Sequence, residues 1–280
     1  MRRHPDWLKV KIPSGENYNK IKKLLNNHKL HTVCQVAKCP NTAECWDKGT
    51  ATFLILGDTC TRNCHYCNVK HSIPKKVNNS EPKDIAKTVK ELNLNYAVIT
   101  SVTRDDLEDG GAKIFAQTIK EIKKAANCKV EVLTPDFKGN KSSIKTVAQA
   151  KPDVFTHNIE VTQNLFSKIR PEADYNRSLN FLKDIKDINK SIKTKSGIMI
   201  GFGETKQDII KTMKDLRDTN CNIFTIGQYL QPTKTHRQIK KYYTPEEFKE
   251  LKKIAYKLGF ESVHSGPLVR SSYHAEKVFQ

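Results

Sequence analysis

Thr52-Phe53-Leu54-Ile55-Leu56-Gly57-Asp58-Thr59-Cys60-Thr61-Arg62-Asn63-Cys64-His65-Tyr66-Cys67 is the stretch on which the fold turns. Its first part, Thr52 to Leu56, is apolar on both sides of the pleat, as in a parallel strand covered by helices. Its second part sets three cysteines in one tight loop. Five further runs of the first kind follow: Tyr96 to Val102, Lys129 to Leu133, Val154 to Ile159, Ser196 to Ile200 and Ile223 to Ile226. Helix-like segments start between and after them, near Glu81, Gly111, Ser142, Arg177, Thr205 and Thr244. Ile85, Val89 and Leu92 keep the helical period in the first, as do Ile114, Phe115, Ile119 and Ile122 in the second. Strand then helix, six times over, predicts an α/β fold, a partial (β/α)6 TIM-like barrel. A doubly wound open sheet is the alternative. In either, ligands gather at the carboxyl ends of the strands. Polar clusters do follow the strands: Thr100 to Asp109, Thr134 to Asp136, His157 to Glu160, Gly201 to Glu204 and Gln228 to Pro232. The organisation read from this is an N-terminal extension (1–49), the barrel (50–265) and a C-terminal segment (266–280).

The chain has 280 residues, 37% of them hydrophobic, enough to bury a large core. No run of 18 apolar residues is present, so no membrane-spanning helix is expected. Met1 to Trp7 has basic residues with no apolar stretch behind them, unlike a secretory signal. The expected compartment is the cytoplasm, where thiols stay reduced. The net charge is +19. Residues 1–31 and 234–257 each carry eight Lys or Arg. An acidic protein or nucleic acid would suit such a surface, but Lys, Asn and Ile are abundant throughout and no nucleic-acid reader motif is present. No specific nucleic-acid binding is expected.

Six of the eight cysteines form two triplets, Cys34-x4-Cys39-x5-Cys45 and Cys60-x3-Cys64-x2-Cys67. Thiolates are soft donors that suit iron–sulfur clusters and zinc. Three are one short of filling a four-iron cluster or a tetrahedral zinc. Zinc completed by His65 or His71 is the plain structural reading of the second triplet. Its position after the first barrel strand favours a cluster with one open iron. Cys128 and Cys221 stand alone before strands and read as ordinary semi-buried thiols.

The Cys60 triplet, with Tyr66 before its last cysteine, resembles the radical S-adenosylmethionine superfamily. Over nearly its whole length the chain is similar to the lipoyl synthase family. The opening Arg3-His4-Pro5-Asp6-Trp7-Leu8-Lys9-Val10-Lys11 carries that resemblance, as do Cys34 to Cys45 and Gly49 to Gly57. So do Thr100 to Asp106 with Asp109-Gly110-Gly111, His157 to Glu160, Ile169-Arg170-Pro171 and Lys195-Ser196-Gly197. Gly201 to Thr205, Gly227 to Pro232 and the closing Gly266 to Tyr273, with Arg270-Ser271-Ser272-Tyr273, complete it.

The resemblance implies two [4Fe-4S] clusters and S-adenosyl-L-methionine. Cys60, Cys64 and Cys67 would hold the radical-generating cluster. Cys34, Cys39 and Cys45 would hold a second one in the extension, with Ser272 as its fourth ligand and Ser271 as the rival. A serine oxygen is a poor match for iron, which suits a cluster that is dismantled to supply sulfur. Thr100, Ser101 and Arg170 are expected near the methionine part of the cofactor, and Asn158 and Glu160 near its ribose. Gly201 and Gly203 are expected to let backbone approach the adenine. Arg104 and Asp105 read either as an ion pair with each other or as ligand contacts. The implied reaction inserts two sulfurs at C6 and C8 of an octanoyl group on a carrier-protein lysine. The implied partners are octanoylated lipoyl carriers (glycine cleavage H protein, 2-oxoacid dehydrogenase E2 domains) and an electron donor. A biotin-synthase-like sulfurtransferase is the alternative, although that family lacks the first triplet and the Arg-Ser-Ser-Tyr ending. An iron–sulfur electron carrier and a basic zinc protein are the rivals from other classes.

Overall fold

Apolar runs separated by amphipathic helices lay one covered sheet down along the chain. The computed structural model describes residues 4–10, 15–28, 30–47 and 52–276. The expected boundary at 49/50, and Arg3 and Lys11 of the opening motif, lie outside the described residues.

Among the described residues ten strands form: β1 His31–Thr32, β2 Thr52–Ile55, β3 Thr59–Cys60, β4 Lys70–His71, β5 Tyr96–Ser101, β6 Lys129–Leu133, β7 Val154–Thr156, β8 Lys193–Ile200, β9 Ile223–Gln228 and β10 Ser262–Gly266. The helices are α1 Glu16–Asn27, α2 Val33–Val36, α3 Thr42–Asp47, α4 Glu81–Glu91, α5 Ala112–Ala125, α6 Lys141–Gln149, α7 Phe166–Ile169, α8 Tyr175–Ile188, α9 Lys206–Asp218 and α10 Pro245–Lys257.

The main sheet runs β1-β2-β5-β6-β7-β8-β9-β10. From β2 to β10 every neighbour is parallel, and β1 pairs antiparallel with β2. This is the α/β partial barrel expected, with one parallel strand more than the six runs foretold. The residues of β2, β7 and β9 are buried throughout, as strands covered on both faces must be. Helices start where their caps put them. The Thr205 and Thr244 side chains each close a capping box, and Asn140 and Asp174 cap α6 and α8.

A charge is buried inside the sheet. Glu131 of β6 accepts from Lys195 Nζ on β8 at 2.9 and 3.1 Å, from the Tyr96 hydroxyl at 2.6 Å and from Thr156 Oγ1 at 3.0 Å. Four strands thus share one satisfied polar network, the condition under which a buried charge is tolerable. Cys128 and Cys221 are buried, as expected of isolated thiols.

Candidate functional site

One strained residue and a glycine steer the chain from β2 into the cysteine loop. Leu56 and Gly57 both take left-handed backbone angles, φ 68° and 94°. The Leu56 peptide is held on both sides. Its N–H donates to Glu81 Oε2 at 2.8 Å, and its carbonyl accepts from Arg104 Nη1 at 3.2 Å. Inside the loop, Arg62 is nearly buried and spreads its guanidinium over two carboxylates. It donates to Asp105 at 2.7 and 3.0 Å and to Asp136 at 2.6 Å. The other oxygen of Asp136 accepts from Arg177 Nε at 2.6 Å. Arg104 pairs with Asp106 at 2.8 Å, not with Asp105. The expected Arg104–Asp105 pair is therefore corrected: Arg62 competes for Asp105 with a two-pronged bond, and the adjacent Asp106 is left to Arg104.

Backbone bonds complete the anchoring. Thr61 N–H donates to the Thr103 carbonyl, His65 N–H to Ile169, and Arg237 N–H to the His65 carbonyl. His236 Nε2 donates to the Cys67 carbonyl at 2.9 Å. The N–H groups of Arg62 and Thr103 point at Cys60 Sγ, 3.4 and 3.3 Å away.

The three sulfur residues open on a cavity of about 150 Å3 at the strand ends. Thr100, Ser101, Asn158, Glu160 and Arg170, all expected from the sequence, line it with them. Gly201 and Gly203 lie outside that lining. The Lys240 and Lys241 N–H groups bond the Gly201 carbonyl and pack this segment over the two glycines. Residues given no individual role from the sequence also face the cavity: Arg62, and Thr134 and His157 of the polar clusters after their strands. Their signal was position alone, since each follows a strand or sits inside the cysteine spacing.

The polar inventory of this cavity is unbalanced. Ser101 Oγ, Thr134 Oγ1 and His157 Nε2 are buried without partners. His157 Nδ1 donates to the Thr134 carbonyl at 2.9 Å, which leaves Nε2 as a bare acceptor. Burial, with the Arg170 charge, lowers the His157 pKa to about 4, so the ring stays neutral near pH 7. Arg170 Nη1 donates to the carbonyls of Asn158 and Ile159. Glu160 sits at φ 71° and accepts from Asn158 Nδ2 at 3.1 Å. Burial pushes the Glu160 carboxyl up, and Arg170 and Asn158 pull it back. Orphaned buried polar atoms of this kind call for a polar ligand.

The first triplet lies elsewhere. Cys34 is in α2, Cys39 follows it and Cys45 is in α3. A small cavity there is lined by these three, Thr52, Arg270 and Ser272 among others. Ser271 faces the other way and donates to Asn158 Oδ1 at 3.1 Å. The extension and the C-terminal segment are stitched together. Asn41 Nδ2 donates to the Leu268 carbonyl at 2.6 Å, and the Tyr273 hydroxyl donates to Glu44 at 3.1 Å.

Both triplets suit a bound cationic centre. Burial, with the neighbouring thiols, pushes Cys34 up to about 11 and Cys45 up to about 12. Burial raises Cys39 too, against the pull of Arg270. Cys67 is pushed up to about 12 and Cys64 is raised, again chiefly by burial. Thiols crowded this way ionise together only on a metal centre. Among the described residues no three His, Cys, Asp or Glu side chains converge as on one ion. His65, one of the two candidate fourth zinc ligands, bonds the Lys168 carbonyl through Nδ1 at 2.9 Å, and the other, His71, is exposed on β4.

A partial barrel with a three-cysteine loop after its first parallel strand defines the radical S-adenosylmethionine superfamily, whose family model matches residues 54–216. The N-terminal domain of lipoyl synthase of the Radical SAM family matches residues 1–39. The chain belongs to the lipoyl synthase family. It is 54% identical over 274 residues to lipoyl synthase of Caldanaerobacter subterraneus subsp. tengcongensis, covering 98% of this chain and 96% of that one. It is 50% identical over 274 residues to lipoyl synthase of Rubrobacter xylanophilus, covering 98% and 85%. Among solved structures, Streptococcus suis SuiB bound to S-adenosylmethionine matches with a TM-score of 0.62 at 13% identity, over 81% of this chain and 55% of that chain. That last likeness is one of fold. The match over 1–39 sets aside the biotin-synthase-like alternative.

Proposed function

We infer that the chain inserts two sulfur atoms, at C6 and C8, into an octanoyl group joined to a lysine of a lipoyl carrier protein. Those positions are unactivated C–H groups, beyond the reach of any general base. When bound, S-adenosyl-L-methionine and a reduced [4Fe-4S] cluster supply hydrogen-atom abstraction, the chemistry such positions require. Cys60, Cys64 and Cys67 would hold that cluster. Ser101, Thr134 and His157 offer unpaired polar atoms to the cofactor. Asn158 and Glu160 present an amide and a carboxylate to its hydroxyls, and Arg170 a cation to its carboxylate end.

Cys34, Cys39 and Cys45 would hold a second [4Fe-4S] cluster, the sulfur source, with Ser272 as its fourth ligand. The observation that carries this part is the meeting of the Cys34 triplet with Ser272, more than 200 positions away, on a cavity separate from that of Cys60. Residues 1–49 then form the sulfur-donor extension, 50–265 the barrel and 266–280 the segment bringing the serine. The partners proposed are octanoylated glycine cleavage H protein or 2-oxoacid dehydrogenase E2 domains, and an electron donor. Among the described residues no helix is long and apolar enough to cross a membrane. The compartment proposed is the cytoplasm, where cysteines kept for cluster binding stay reduced.

Anaerobic incubation with reductant, S-adenosylmethionine and an octanoyllysine carrier peptide tests the reading by mass. The expected product has two hydrogens replaced by two sulfurs, and iron is lost from the protein as sulfur is delivered. A peptide left unchanged while both clusters stay intact would defeat it.

A further inference from the structure

Ser271 and Ser272 are adjacent, yet their side chains serve different cavities. Ser272 lines the cavity of Cys34, Cys39 and Cys45. Ser271 donates to Asn158 Oδ1 at 3.1 Å, and Asn158 lines the cavity of Cys60, Cys64 and Cys67. The amide of Asn158 is thereby used at both ends, since its Nδ2 donates to Glu160 at 3.1 Å. Arg270, one residue earlier, lines the cavity of the Cys34 triplet, with its guanidinium packed against Gly227 of β9.

The seat of this segment leaves no slack. The Gln228 N–H at the end of β9 donates to the Pro267 carbonyl at 3.2 Å. A Cβ on Gly227 would fall 2.0 Å from the Val269 carbonyl oxygen and 3.1 Å from Arg270 Nη1. A Cβ on Gly197 would fall 3.3 Å from Asn158 Oδ1. A shift of the segment at Ser272 is thus transmitted to Asn158 through one hydrogen bond and a close-packed backbone.

We propose that Ser271 is a positioning residue that couples the two centres, so that the cofactor cavity is fully formed only while Ser272 is seated on the Cys34 triplet. This rests on the reading that Asn158 and Glu160 face bound S-adenosylmethionine. Linkage makes the effect reciprocal: a ligand that uses Asn158 and Glu160 also favours the seated C-terminal segment. Once the donor centre is spent and Ser272 is released, the cofactor is held less tightly. Radical formation is then restrained when there is no sulfur to deliver.

The test uses anaerobically loaded full-length protein as wild type, Ser271→Ala and Ser271→Thr. Three quantities are read: iron per chain, the Kd of S-adenosylmethionine by equilibrium dialysis, and the rate of tryptic cleavage after Arg270 with and without that cofactor. In Ser271→Ala iron is expected to be unchanged while the Kd rises about 3–10-fold, the effect of one neutral hydrogen bond. The cofactor is expected to slow cleavage after Arg270 in the wild type and clearly less in Ser271→Ala. Ser271→Thr, which keeps the hydroxyl, is expected to restore both. Unchanged affinity and unchanged protection in Ser271→Ala overturn the coupling alone. Loss of iron in Ser271→Ala overturns it by making Ser271 a ligand. A wild type that binds no S-adenosylmethionine sinks the reading of the cavity, and the coupling with it.

Discussion

Arg62 shows how much of a cysteine loop is held in shape by residues that are not its cysteines. It lies between Cys60 and Cys64, and its side chain is 4% exposed. Its two partners, Asp105 and Asp136, are otherwise buried or half-buried carboxylates. Burial pushes the Asp136 carboxyl up, but Arg62 and Arg177 outweigh it and hold the group well below the usual carboxylate range. Removing one member of such a buried pair leaves an uncompensated charge. Arg62→Met is therefore expected to lower the unfolding free energy of the unloaded protein by about 3–5 kcal/mol in chemical denaturation. Arg62→Lys keeps the charge but loses the fork and is expected to fall between. A Met variant as stable as the wild type would show that Asp136 is satisfied by Arg177 alone. The cysteines, Asn158, Glu160 and Ser272 were legible because spacing and motif mark them. Arg62 was not, because its partners lie 43 and 74 positions away. Local sequence does not tell which of Asp105 and Asp106 each nearby arginine takes.

At the level of elements, legibility followed apolar pattern. The six strands read from the sequence are covered on both faces, so their side chains are mostly apolar, and the buried polar ones, such as Glu131 and Lys195, are satisfied by one another. β10 escaped because Ser262-Val263-His264-Ser265-Gly266 buries only Val263. α1 escaped although Ile21 and Leu25 are buried at helical spacing, because the lysines around them hide a narrow apolar stripe. The start of α4 has a further task. Glu81 accepts the Leu56 N–H at the turn into the cysteine loop, and burial pushes its carboxyl up to about 7 from an ordinary 4.5. The folded protein therefore holds a proton on Glu81 between those values, while the unfolded chain has released it. Its contribution is full below pH 4.5 and is lost as pH rises through 7. The loss amounts to on the order of 3 kcal/mol. Urea unfolding of wild type and Glu81→Gln on either side of this window is the check. The wild type should lose stability relative to the Gln variant toward alkaline pH, and parallel curves would refute the assignment.

Across the whole molecule, the basic surface and the site are joined by one segment. Residues 233–243 carry exposed Lys234, Arg237, Lys240 and Lys241. The same segment braces the cysteine loop, through Arg237 N–H to the His65 carbonyl and His236 Nε2 to the Cys67 carbonyl. The start of the extension joins it, since His4 Nδ1 and the Tyr242 hydroxyl are 3.1 Å apart. A net charge of +19 is thus not merely spread over the surface; part of it lies on the segment that braces the cysteine loop, where, on the proposed function, a carrier would present its octanoyl chain. Opposite charge on the carrier would speed its approach, and salt would screen that attraction over about 10 Å at moderate ionic strength. Lys241 is already engaged by Glu247 and Arg237 braces the cysteine loop, so Lys234 and Lys240 are the sites to reverse. Stopped-flow association with an octanoylated carrier domain is expected to slow by about tenfold in Lys234→Glu/Lys240→Glu, and to slow with salt in the wild type. The dissociation rate should change little, because rim charges act on the encounter and not on the packed contact. An association rate indifferent to both salt and charge reversal would leave the basic rim without a role in docking.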